Sequence, residues 1–467
     1  MTGNLYGLFS AAAEAAGDRP AFIEGDRIRL TYAELDRAVG GYAAALARLG
    51  ARPGERILVQ AEKSVESALL YLASLKAGLV YVPLNTAYTA VELAWFVEDS
   101  EPALVFASGH RALDDLEGEA AEFETVPRGP DDLAAILYTS GTTGRSKGAM
   151  LSHDNLASNA LVLKDAWRWQ AGDVLIHALP IYHVHGLFVA LHGALLNGSA
   201  MLWHSAFESD AVIDDMARAT ILMGVPTFYT RLLASPLLTR EAAANMRLFV
   251  SGSAPLLDAT FREFETRTGH RILERYGMTE AGMICSNPYE GERIPGTVGY
   301  PLPGVEARIV DEVLQIRGPN LFRGYWRQPE TTAEEMRPGG WFVTGDMATM
   351  AQDGRVSIVG RAKDLIIAGG LNIYPKEIEL AIDALAGVGE SAVIGVPHPD
   401  LGEAVVAVVT RTDPSLDEAA ILAGIADLAR FKRPRHILFA DALPRNAMGK
   451  VQKAALREAH KGLFGSP

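Results

Sequence analysis

Short runs of β-branched residues alternate with helix-period segments along the first 250 residues. Thr31-Tyr-Ala-Glu34 is a capping-box signature, and the apolar spacing behind it predicts a helix to Leu49 that Gly50 stops. Arg56–Gln60 (RILVQ) predicts a strand, Ser64–Ala77 a helix closed by Gly78, and Leu79–Val82 the next strand. The pattern recurs at Asp173–Leu179, Ala200–Trp203, Thr220–Met223 and Leu248–Ser251. Strands alternating with helices imply parallel sheets covered by helices, an α/β chain. The most apolar long stretch, Gly186 to Trp203, is interrupted by His192, Asn197 and three glycines. It predicts a buried helix running into a strand, and not a bilayer span.

After about Pro295 the texture changes. Pro and Gly become dense, the strands are short (Ala307–Val310, Leu314–Arg317, Val356–Val359), and helical periods disappear. A small antiparallel or barrel-like piece is expected over about 295–360. A new αβ pattern begins after Gly360-Arg-Ala-Lys-Asp364, with Pro375 at the first turn of a helix Lys376–Leu385. The expected division is therefore 1–362 and 363–467.

Composition narrows the function. Fifty-seven acidic against 43 basic residues give a net charge of −14, which disfavours nucleic-acid binding. One cysteine, Cys285, allows neither an internal disulfide nor a thiolate metal cluster, and the N-terminus lacks a signal-peptide pattern. A cytoplasmic chain with no membrane partner is expected. Nine Lys/Arg stand against three Asp/Glu from Ile421 onward, either a solvated helical face or the approach of a polyanion.

Tyr138–Gly148 reads YTSGTTGRSKG: three Thr, two Ser and three Gly in eleven residues, between a strand Leu133–Leu137 and a following helix. Glycines let N–H groups turn toward an anion, hydroxyls donate further bonds, and Lys147 adds charge. The chemistry is that of a phosphate cradle. The spacing from Gly144 to Lys147 is not that of a Walker A loop, and the G-x-S-x-G of a nucleophile elbow is absent.

YTSGTTGRSKG resembles the signature loop of the adenylate-forming superfamily, and six further segments agree in order. They are LPIYHVHG (Leu179–Gly186), SGSAPL (Ser251–Leu256), RYGMTE (Arg275–Glu280), TGD (Thr344–Asp346), GRAKDLIIAGG (Gly360–Gly370) and PRNAMGK (Pro444–Lys450). The resemblance covers nearly the whole chain. It implies a large N-terminal domain of parallel sheets with a small barrel-like subdomain, followed by a small mobile α+β C-terminal domain. It also implies ATP, Mg²⁺ and CoA as reactants or cofactors.

By this resemblance Thr139, Ser140, Gly141, Thr142, Thr143, Gly144 and Lys147 surround phosphate. Ser251, Gly252, Ser253, Ala254, Glu274, Arg275, Tyr276, Gly277 and Met278 hold the adenylate, with Tyr276 stacking on the purine. Thr279 meets the α-phosphate, and Glu280, with Thr139, holds Mg²⁺. Asp346 accepts the ribose hydroxyls with Arg361 nearby; read alone, both are ordinary surface charges. Lys450 resembles the catalytic lysine that bridges α-phosphate and carboxylate. It is also a candidate for a lysine acetyltransferase, since acetylation removes its charge. Lys363 matches the hinge on which the C-terminal domain alternates between adenylating and thioester-forming poses. Gly369 and Gly370 then face the pantetheine tunnel, and Lys432 and Arg433 the CoA phosphates.

Arg231 in GVPTFYTRLL and Arg275 in ERYGMTE, with His183 and Met283, mark the acyl pocket. These segments resemble the malonyl-CoA synthetase branch of the superfamily. A second carboxylate would bury an extra charge unless paired, and a guanidinium meets it with two parallel hydrogen bonds. Arg231 is expected to wait in the substrate cavity, while Arg275 either joins it or braces the loop of Tyr276. The expected reaction is ligation of malonate or methylmalonate to CoA through an acyl-adenylate. Alternatives are another short acid, a carrier-protein acceptor, or a non-catalytic nucleotide-binding module. Ala281 departs from the family, which usually has threonine there.

Overall fold

A computed structural model describes residues 3–116, 120–139, 146–369, 371–445 and 450–465. The chain divides into two compact units: Met1–Glu306 with Arg317–Gly340, and Ala307–Ile316 with Trp341–Pro467.

The first unit is built on two sheets. The larger runs Tyr300–Pro301, Gly282–Ser286, Leu273–Met278, Leu248–Ser251, Ile221–Gly224, Val174–His177, Ala200–Trp203, Pro20–Glu24, Arg27–Thr31. Pairing is parallel from Leu273–Met278 to Pro20–Glu24 and antiparallel at both ends. The second sheet runs Leu104–Phe106, Arg56–Val59, Val80–Pro83, Leu133–Thr139, Lys147–Ser152.

The predicted helices form over Tyr32–Arg48 and Val65–Lys76, each opened by a capping box at Thr31 or Ser64. Val65–Lys76 is buried along almost its whole length, so its apolar residues occupy every face. The stretch from His185 is a π-helical turn to Leu191 continued as helix His192–Leu196, all buried, before strand Ala200–Trp203. Among the described residues no helix is long and apolar enough to cross a membrane.

The region after Pro295 holds a helix where none was expected. Pro329–Glu335 is helical within the region where helical periods vanish. None of its residues is buried, so no apolar stripe betrays it.

The second unit contains the antiparallel strands Val313–Arg317, Trp341–Met350 and Val356–Arg361, and a sheet ordered Leu371–Ile373, Ile366–Ala368, Gly402–Arg411, Val388–His398. His436–Phe439 pairs parallel with Gly402–Arg411. The long hairpin is apolar on both faces. Val393, Val405, Ala407 and Val409 pack with helix Pro375–Asp383, while Ile394, Val396, Val406 and Val408 pack with Leu443 and Leu456.

Candidate active site

The glycine-rich loop connects two antiparallel strands. Leu133–Thr139 pairs with Lys147–Ser152, placing Thr139 directly across from Lys147. Ser140, Gly141, Thr142, Thr143 and Gly144 lie outside the described residues. The expected strand–loop–helix order is corrected: helix His153–Ala166 begins only after the second strand, under a capping box at Ser152. That strand is fixed from its other side, since Met150 N donates to Gly324 O at 3.0 Å and Trp326 N to Gly148 O at 2.7 Å. Lys147 Nζ pairs with Glu335 Oε1 at 2.7 Å.

Thr279 and Glu280 sit in the turn between Leu273–Met278 and Gly282–Ser286. Gly282 turns the chain at φ +56°, and a Cβ there would stand 2.6 Å from Asn159 Oδ1. Asn159 instead grips the next residue, donating to Met283 O at 2.8 Å and accepting from Met283 N at 3.0 Å. Asn320 Nδ2 donates to Ala281 O at 2.7 Å, and Phe322 N to Glu280 O at 2.7 Å. Ala281 is fully buried in this bracing, and Met283 is buried beside it. Glu280 is 7% exposed and accepts from Tyr325 Oη at 3.0 Å. Among the described residues no three His, Cys, Asp or Glu gather to hold a metal ion. Mg²⁺ keeps several waters and takes phosphate oxygens, so the single hard carboxylate of Glu280 fits the part asked of the protein.

Ser251, at the end of its strand, and Gly252 are buried; Ser253 adopts φ +71°, a left-handed conformation uncommon for a residue with Cβ. Glu274 Oε1 accepts from Leu256 N at 3.1 Å and ties SGSAPL to the neighbouring strand. The space over Gly252 belongs to Arg275: a Cβ there would lie 2.5 Å from its Cζ.

Arg275 is 3% exposed, and its Nε and Nη2 have no hydrogen-bond partner. Burial pulls its guanidinium down to about 9. His185 is equally buried, with both ring nitrogens unpartnered; burial, then the charge of Arg275, holds it well below the usual histidine range and neutral. His183 is half-buried, and its Nδ1 accepts a long bond (3.4 Å) from the His185 backbone. Tyr276, Gly277 and Met278 are half-buried along the same strand.

Arg231 differs from expectation. It is exposed on helix Pro226–Ala234, whose buried positions are Tyr229 and Leu232. Of the two arginines, the enclosed guanidinium is Arg275.

In the second unit, Gly345 turns at φ +70°, Thr344 Oγ1 accepts from Asp346 N at 3.0 Å, and Asp346 lies across the hairpin from Arg361. Arg361 Nε meets Asp346 Oδ1 at 2.7 Å, so the two charges predicted to share a ribose are neighbours. Lys363 is exposed, and Asp364 next to it pairs with Arg457. Gly369 turns at φ +58°; Gly370 lies outside the described residues. Lys432 Nζ is held by both oxygens of Glu377 at 2.7 and 2.8 Å, and Arg433 donates to the carbonyls of Ala426 and Leu428. Lys450 is exposed.

Residues 9–326 match the AMP-binding enzyme family and residues 377–450 its C-terminal domain. The chain belongs to the AMP-binding enzyme family. It is 50% identical to ATP-bound MatB from Rhodopseudomonas palustris over 99% of this chain and 100% of that one, with a TM-score of 0.95. A malonyl-CoA ligase solved with methylmalonyl-CoA and AMP is 40% identical over 92% of this chain and 98% of that one, at a TM-score of 0.68. The malonate–CoA ligase of Arabidopsis thaliana is 35% identical over 88% of this chain and 79% of its own length. The enzyme is thus an acid–thiol ligase of the AMP-forming kind.

Sequence reasoning named His185 only as a neighbour of His183, and it passed over Asn159, Asn320, Tyr325 and Glu335. His185 stood two residues from a chosen histidine. The asparagines and the Tyr–Glu pair carry no local signature, because their partners stand dozens of residues away or more, or on a helix with no apolar period.

Proposed function

We propose that this enzyme joins malonate to coenzyme A. One malonate carboxylate oxygen attacks the α-phosphorus of ATP, the bond to the bridging oxygen breaks, and pyrophosphate leaves with that oxygen. The CoA sulfur then attacks the activated carbonyl carbon, the thiol proton is released, and AMP departs. The similarity to MatB and to the malonate–CoA ligases supports malonate. The relative bound to methylmalonyl-CoA supports the methylated acid as a second substrate.

The observation that carries the reading is Arg275. A buried guanidinium with two donors unmatched, beside a neutral histidine, is a site for an anion that the protein itself does not supply. A short monocarboxylic acid spends its only charge at the α-phosphorus. Malonate has a second carboxylate left to meet Arg275 in a charge-assisted, two-bonded pair. His183, His185 and Met283 complete this pocket, and Arg231, being exposed, has the lesser part.

Thr139, the loop from Ser140 to Gly144 and Lys147 take the phosphates, with Thr279 toward the α-phosphate and Glu280 toward the metal. Mg²⁺ bound with ATP offsets phosphate charge. Tyr276, with the segments Ser251–Ala254 and Glu274–Met278, holds adenine, and Asp346 with Arg361 the ribose. Lys450 neutralises the charge where carboxylate and α-phosphate meet. Lys363 is the hinge that withdraws Lys450 for the thiol step, when Gly369 and Gly370 line the pantetheine path and Lys432 and Arg433 approach the CoA phosphates. The domain boundary at 362/363 and a cytoplasmic location belong to this reading. So does acetylation of Lys450 by a lysine acetyltransferase, which would stop the first step by removing its charge.

The test is pyrophosphate release with ATP, Mg²⁺, CoA and a panel of short acids. Malonate and methylmalonate should exceed acetate and propionate in kcat/KM by at least about tenfold, the worth of one good charged contact. Equal rates for acetate and malonate would end the dicarboxylate assignment.

A further inference from the structure

The segment from Asn320 to Trp326 touches both the strand that follows the glycine-rich loop and the turn that carries Thr279 and Glu280. On one side it pairs with Gly148–Met150, just beyond Lys147; on the other, Asn320 and Phe322 bond the Thr279–Glu280 turn. At its centre stands Tyr325, 3% exposed. Its Oη lies 3.0 Å from Glu280 Oε1 and 2.6 Å from Glu335 Oε2. Glu335 Oε1 holds Lys147 Nζ at 2.7 Å, and that ammonium sits 4.1 Å from the centre of the Tyr325 ring. Lys147, Glu335, Tyr325 and Glu280 therefore form one continuous chain of contacts between the phosphate-loop cation and the carboxylate assigned to the metal.

From this geometry we propose that Glu335 and Tyr325 are positioning residues that set nucleotide affinity. Glu335 is an internal anion that competes with ATP phosphate for Lys147, and Tyr325 ties that competition to Glu280. The inference rests on the reading above, in which Lys147 meets phosphate. The physics fixes the sign. Lys147 cannot give its full charge to a phosphate and to Glu335 at once, so MgATP must first loosen a pair whose side chains are only 24% and 30% exposed. Removing the charge of Glu335 should therefore tighten ATP binding, whereas losing a merely structural contact would loosen it. Tyr325 has one hydroxyl proton for two carboxylates, so any shift of Glu335 toward or away from the ring redistributes its bond to Glu280.

The test is calorimetric titration of MgATP into the full-length protein without malonate. Glu335→Gln, isosteric and on a helix with no buried residue, should lower the Kd by about two- to fivefold, the range for a partly exposed ion pair. Glu335→Asp, which shortens the reach and keeps the charge, should give a smaller change of the same sign. In a Lys147→Met background Glu335→Gln should change nothing, because the competed cation is gone. Tyr325→Phe should raise the Mg²⁺ concentration for half-maximal pyrophosphate release by about two- to tenfold, the net worth of a typical single hydrogen bond. Weaker or unchanged ATP binding in Glu335→Gln, or tightening that persists without Lys147, overturns the proposal. Malonate-dependent pyrophosphate release by the wild type, measured in the same preparation, tests the function itself.

Discussion

Replacing Arg275 by methionine should make the protein more stable and nearly inactive toward malonate. The pairing of those two outcomes comes from burial. A guanidinium held at about 9 instead of its ordinary value, with burial as the leading cause, carries a desolvation cost of roughly 4 to 5 kcal/mol at about 1.36 kcal/mol per pH unit. The sign follows from linkage. The group is charged in both folded and unfolded chains below about pH 9, so the cost is fully present at pH 7.5 and shrinks only as pH rises through 9. Methionine fills similar space without charge. Part of the gain is lost to imperfect packing and to relaxation of the folded protein, leaving about 1 to 2 kcal/mol. For a unit of this size that raises Tm by about 1 to 3 °C.

Malonate reads the same charge from the other side. At 100 times its Kd it should stabilise the wild type by about 2.7 kcal/mol and leave the variant unmoved. Losing a buried, charge-assisted contact costs about 2 to 5 kcal/mol, so kcat/KM for malonate should fall at least about thirtyfold. The value for propionate should hold or rise. The assays are differential scanning fluorimetry with and without malonate, and pyrophosphate release with both acids. A variant that melts lower than the wild type, or that loses propionate and malonate activity alike, refutes the argument and makes Arg275 a brace for the Tyr276 strand.

The remaining expectations address other links. Gly282→Ala forces a left-handed backbone on a residue with Cβ and drives that Cβ into Asn159; it should cost about 2 to 4 kcal/mol of stability, read by urea unfolding, and pyrophosphate release should fall with it. Lys450→Ala should block pyrophosphate release from malonate while a supplied malonyl-adenylate is still converted to thioester; survival of both half-reactions would remove the role given to Lys450. His153, buried with its Nδ1 accepting from Leu5 N at 3.1 Å, is held down to about 4, chiefly by burial. The unfolded chain takes up its proton first, so stability should decline as pH falls from about 6.5 to 4, by roughly 3 kcal/mol in total. Melting curves across that range should be visibly flatter for His153→Gln, which keeps an acceptor for Leu5.

What could be read in the sequence and what could not divide along a physical line. The capping box at Thr31, the β-branched strands and the stopping glycines are local, and each formed where its residues placed it. Asp346 and Arg361 were joined by motif alone and lie across one hairpin from each other, because the tight turn from Ala351 to Arg355 sets the two strands side by side. Local reasoning failed wherever partners come from afar. A motif names Glu280, yet its bond is to Tyr325, and the turn that carries it is gripped by Asn159 and Asn320.

The two arginines make the same point. As letters, Arg231 and Arg275 are equal candidates for the second carboxylate, and a helical reading of GVPTFYTRLL leaves the facing of Arg231 open. Strand geometry separates them. Gly252 removes a side chain from the neighbouring strand end and lets the guanidinium of Arg275 fold into that space, where burial strips its water and leaves two donors unmatched. A protein selected for stability alone would have filled the gap over Gly252 with carbon. The cost of leaving a cation there is understandable only if another molecule supplies the missing anion, and this makes the unstable choice at Arg275 the strongest structural argument for a dicarboxylic substrate.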